Sequence, residues 1–152
     1  MAASAWQLYN EAKKYIGNGT ITLGAGVFKM VLAQSASNAS TFTLSTYAQI
    51  TSEIATAGGY AAGGRSLVPA TAQWTVGASA KQMKFTQTTT GLTFTASGAN
   101  LVNIKYAIIR NSTGSGAGKL LCFCRLSSSQ FTVTSPNTLT IIPAATGIFT
   151  LT

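Results

Sequence analysis

Apolar and hydroxylated side chains alternate with period two along most of this chain, and that pattern constrains the fold class more than any other feature. Between Val27 and Ala33 it places Phe28, Met30 and Leu32 on one face. In the strongest strand of the sequence it aligns Val102, Ile104, Tyr106 and Ile108 and ends at Arg110. Leu120, Cys122, Cys124 and Leu126 share another face, and residues 119–126 are expected to pair with the strand before them across the loop 111–118. Phe131–Val133, Leu139–Ile141 and Ile148–Leu151 complete the set. Short strands closed by Gly, Pro-Asn and Ser turns predict a mainly β protein, an antiparallel β-sandwich or jelly-roll-like fold. No helices alternate with these strands, which argues against a parallel α/β sheet.

Residues 4–16 read as the clearest helix, with Ser4 as N-cap and an apolar stripe of Trp6, Tyr9, Ala12 and Ile16. Gly17-Asn18-Gly19 stops it. The expected layout is therefore an N-terminal helical element at 1–19, within the domain or as a docking arm, followed by one β-sandwich domain at 20–152. A short helix is expected at 46–54, where Thr46 and Gln49 form a capping box. The run Gly58-Gly59-Tyr60-Ala61-Ala62-Gly63-Gly64 reads as a turn or exposed loop, one able to offer backbone to a neighbour. A strand is expected over 66–76, with Val68, Ala70, Ala72, Trp74 and Val76 alternating and Pro69 marking an edge. Met83 to Phe85 and Leu92 to Ala96, joined through Thr89-Thr90-Gly91, read as a hairpin.

Composition narrows the chemistry. The chain has no Asp and no His, and its two acids are Glu11 and Glu53. A Ser-His-Asp or Cys-His nucleophile cannot be assembled from these residues, nor can a mixed His, Cys and carboxylate zinc site. The expectation is a protein that is not an enzyme and holds no cofactor or metal. Gly114-Ser115-Gly116-Ala117-Gly118-Lys119 falls short of a phosphate loop, because Thr113 and Leu120 stand where Gly and a hydroxyl are needed and a strand follows. It reads as a flexible hairpin loop. Cys122 and Cys124 read as reduced, buried thiols, since neighbours on one face of a strand are strained as a disulfide.

Ten Lys and Arg against two acids give a net charge of +8. An excess of that size suits an acidic partner or, more simply, keeps an acid-poor protein in solution. The cations are scattered rather than clustered. The aromatics nearest them, Phe85 and Tyr106, fall on core faces, so nucleic acid is an unlikely partner on this reading. About a quarter of the residues are Thr or Ser, a surface dress that assembles at lower desolvation cost than ions do. The N-terminus lacks the features of a signal peptide and no apolar run reaches membrane-spanning length, so no membrane association is expected.

The chain also resembles a group of small virion structural proteins of tailed bacteriophages. The resemblance runs through Leu8-Tyr9-Asn10, Lys14-Tyr15-Ile16-Gly17-Asn18-Gly19, Ile21 and Leu23, then Phe28-Lys29-Met30-Val31-Leu32 and Ile50 with Glu53-Ile54. It continues through Gly59 to Gly64, Trp74, Tyr106-Ala107-Ile108-Ile109, Lys119-Leu120-Leu121 and Gly147 to Leu151. It implies a non-enzymatic part of the particle: a capsid decoration (cement) protein that binds the major capsid protein as a homo-oligomer such as a trimer, located in the virion. A tail or fibre module recognising a host surface is the alternative, and a basic nucleic-acid-binding or self-assembling coat protein a more remote one. Many members of that group are acidic, and this chain departs from them. The elements expected to touch a partner are the helix 4–16 and the loop 58–65, through Trp6, Tyr9, Lys13, Lys14, Tyr60 and Arg65.

Overall fold

The structure, a computed structural model, describes residues 3–67, 74–77, 81–87 and 90–151. It is mainly β and antiparallel, with one α-helix near the N-terminus. The strands are β1 (Gln7–Leu8), β2 (Phe28–Gln34), β3 (Arg65–Ser66), β4 (Trp74–Val76), β5 (Met83–Phe85), β6 (Leu92–Thr95), β7 (Leu101–Asn111), β8 (Leu120–Arg125), β9 (Phe131–Val133), β10 (Thr138–Ile141) and β11 (Phe149–Leu151), and α1 spans Asn10–Gly17.

The long strand β7 organises the molecule. It pairs with β2 on one side and with β8 and then β9 on the other, giving a six-stranded sheet whose main path runs β1-β8-β7-β2-β3. Both faces of this sheet are covered, so Met30, Val31, Leu32 and Ala33 are all buried despite their alternation, as are Ala107, Ile108 and Ile109. One face carries Phe28, Met30 and Leu32 toward two smaller sheets, β11-β5-β4 and β10-β6. Phe85 stands edge-on to Phe28 at a centroid distance of 5.0 Å and stacks on Phe149 at 5.2 Å, which closes that sandwich-like layer. Each fully buried Phe or Leu of this kind contributes about 1.5–3 kcal/mol. Over the opposite face lies the segment 35–64, with Ala39, Leu44, Ile54 and Tyr60 buried.

Several elements differ from the expectation. Residues 4–8 are not helical. Gln7 and Leu8 pair with Phe123 and Cys122, while the Ser4 N–H donates to the Arg125 carbonyl at 2.8 Å, so this stretch is an added strand. The helix starts only at Asn10, behind Tyr9, and Ser4 does not cap it. Its apolar stripe fits period two as well as it fits a helix, and pairing with β8 decides between them. The expected helix at 46–54 is a single 3-10 turn at Tyr47–Gln49, though its capping box with Thr46 is present. The hairpin 83–96 does not form: β5 pairs with β4 and β11, and β6 with β10. Of the expected strand 66–76, Ser66 pairs with β2 and Trp74–Val76 with β5, while 68–73 lie outside the described residues. The β7–β8 hairpin stands as expected. Its loop is tied down: Thr113 Oγ1 accepts the Val27 N–H at 3.0 Å and Ser112 Oγ donates to the Val27 carbonyl at 2.9 Å.

Candidate interaction surface

The most developed polar cluster centres on Glu53, which bridges to Ala33 at the edge of the segment crossing the sheet. Its Oε1 accepts the Tyr60 hydroxyl at 2.7 Å and the Gly63 N–H at 2.7 Å, and its Oε2 accepts the Tyr47 hydroxyl. Tyr60 is 4% exposed, and its oxygen also accepts the Leu32 N–H at 3.1 Å. Arg110 donates through Nη2 to the Gly63 carbonyl at 2.9 Å and lies over the Tyr47 ring at 4.3 Å. Burial is the first cause that raises the Tyr47 hydroxyl to about 12, and donation to Glu53 adds to it. Tyr60 is pushed up by burial and then by the same carboxylate. The cluster therefore closes the glycine-rich turn against the sheet.

Geometry explains the glycines. Gly58, Gly59, Gly63 and Gly64 all have positive φ, and a Cβ on Gly64 would fall 2.3 Å from the Met30 carbonyl oxygen. The loop expected to be exposed is thus packed against the core around Tyr60.

The six residues expected to touch a partner separate into two groups. Tyr9 is fully buried, with its ring 5.1 Å from Phe123 and its hydroxyl donating to the Ala39 carbonyl at 2.7 Å. Tyr60 is buried as described. Neither meets a partner in the folded chain, a correction to the expectation for both. Lys13, Lys14 and Arg65 are exposed, and Trp6 is half-buried. Arg65 donates to the Thr93 carbonyl. The structure brings none of these four together into one patch: Lys13 and Lys14 ride on α1, Trp6 precedes β1, and Arg65 lies on β3 at the other end of the sheet.

Neither acid is left to neutralise the surface. Glu53 is engaged within the fold, and Glu11 pairs with Lys14 at 3.4 Å in an exposed contact of small energetic weight. Phe85 and Tyr106 are buried, as their alternation requires. Cys122 and Cys124 are free, buried thiols, and burial pushes Cys124 up to about 12.

Sequence reasoning missed the Glu53 cluster. The available signal was a carboxylate, in a chain with only two acids, followed closely by tyrosine and paired glycines.

A groove of about 660 Å³ opens beside β1, between Trp6 and Cys124 on one wall and the stretch 141–150 on the other. Ile142, on its rim, is 62% exposed. No protein-family model, curated protein or solved structure matches this chain.

Proposed function

We propose that this chain is a non-enzymatic structural protein of a tailed-phage virion, a decoration protein that binds the outer head surface and stabilises its capsomers. The resemblance in sequence to small virion proteins supplies the class. The observation that carries the docking reading is the disposition of charge: ten cations face two acids, and both acids are already engaged inside the chain. The surface left over is cationic and rich in hydroxyls, complementary to an acidic shell. Burial of Tyr60 removes the aromatic that had favoured a host-glycan fibre module.

Immunogold microscopy with an antibody raised against the chain, applied to particles released by its source host, tests this reading. Label over heads is expected. Label confined to tails or fibres, or absent from particles, overturns it.

A further inference from the structure

Strand β1 ends the six-stranded sheet, and its free side is unusually open to pairing. The Tyr9 N–H donates to the Leu121 carbonyl at 3.1 Å, and Gln7 and Leu8 stand opposite Phe123 and Cys122. In an antiparallel ladder the hydrogen-bonding groups alternate sides, so those of Trp6 and Leu8 point away from β8 toward the open edge. Edge strands normally carry Lys, Pro or another deterrent, yet the run Ala3-Ser4-Ala5-Trp6-Gln7-Leu8 has no charge and no proline. The groove alongside is likewise lined without a single charged residue, in a chain of net charge +8. Arg125, the nearest cation along β8, follows Cys124 and so projects from the other face, where it lines a separate hollow with Tyr106 and Phe123.

We propose that the β1 edge is a self-association surface, on which β1 of a second copy adds antiparallel about a two-fold axis. Charge selects this occupant. Two copies each carrying +8 repel at most orientations, and this edge brings only neutral surfaces together. The opposite end of the sheet fits less well, because β3 is two residues long and presents exposed Arg65. A two-fold axis perpendicular to the sheet puts Trp6 of both copies on the same face, each beside a groove, and extends the sheet through the dimer. This proposal does not rest on the virion reading and is tested without particles.

Light scattering on the eluting full-length chain, across a range of concentrations, reads the mass, and amide hydrogen exchange at Trp6 and Leu8 reads the edge. The expected result is a dimer, twice 15.7 kDa, with both amides protected. Ala5→Lys, at an exposed position, introduces like charges across the axis and is expected to weaken dimerisation roughly tenfold or more while preserving the melting temperature. Gln7→Lys provides a second reading should Ala5→Lys fold poorly. A monomer at all concentrations, a trimer, or a dimer in which Trp6 and Leu8 exchange freely would overturn the proposal.

Discussion

Tyr60 donates its hydroxyl to the Glu53 carboxylate at 2.7 Å, and this bond fastens the glycine-rich turn to the segment that crosses the central sheet. Replacing Glu53 by Ala leaves two tyrosine hydroxyls and the Gly63 N–H without their acceptor. Hydrogen bonds to a charged group are worth more than neutral ones, so the expected loss is about 2–3 kcal/mol. At this chain length that lowers the melting temperature by roughly 5–10 °C. Tyr60→Phe keeps the ring and should cost about 1–2 kcal/mol, because the Leu32 N–H also loses its acceptor. Thermal melts of both single variants and the double variant measure the coupling. Strict additivity would show that the two residues do not act together.

The same cluster sets an alkaline limit. The Tyr47 hydroxyl is raised to about 12 in the folded chain from an ordinary 10, and Tyr60 and Tyr9 are also raised, with burial the leading cause for each. Above pH 10 the unfolded chain releases these protons while the folded chain retains them, so it is the unfolded state that binds fewer protons. Stability from this source is therefore complete below pH 10 and falls as the pH rises through 12. Melting temperature against pH should decline over that window, and the tyrosinate absorbance of these three residues should appear together with unfolding. A tyrosinate titration completed before loss of structure would contradict the burial described.

Strand alternation made most of the sheet legible: β2, β7, β8 and their partners lie where period two places them, because their apolar faces meet a core built from the same strands. The N-terminal stretch was ambiguous for a physical reason. Trp6, Leu8 and Tyr9 satisfy both a helical stripe and an alternating strand, and the arbiter is Cys122-Phe123, far away in sequence. The pairing of β6 with β10 in place of β5 was hidden in the same way, since register between distant strands depends on the assembled core. Tyr60 in its glycine-rich setting reads locally as an exposed loop residue. Its burial follows from Glu53 and Leu32, which only the fold brings beside it.

Two glycines with nearly the same backbone angle should respond very differently to alanine. Gly64 has φ of 80°, and an added Cβ would meet the Met30 carbonyl oxygen at 2.3 Å, so backbone must move. Gly98 has φ of 74° and nothing within 4 Å of the same atom. Gly98→Ala is expected to cost about 1 kcal/mol, the left-handed backbone penalty alone. Gly64→Ala adds the clash and should exceed about 3 kcal/mol. Chemical denaturation of the two variants provides the comparison, and equal costs would refute the close approach of the turn to β2.

The N-terminal segment has to be tested for docking without unfolding the chain. Tyr9 is fully buried against Phe123, Ala12 is fully buried as well, and β1 completes the sheet, so deleting residues 1–19 uncovers core. That truncation is expected to abolish the cooperative melt, since removing the Tyr9 ring alone should cost about 3–5 kcal/mol. Loss of particle binding by the truncated chain would then say nothing about contact. Lys13 and Lys14 are exposed on α1, and Lys14 has only the surface pair with Glu11. Reversing both charges in Lys13→Glu/Lys14→Glu should leave stability within about 0.5 kcal/mol. If α1 faces an acidic shell, the same variant should lower occupancy on particles, more strongly at low salt than at high salt. Unchanged occupancy at low salt, with the melt intact, would remove α1 from the docking surface and leave the remaining cations to account for it.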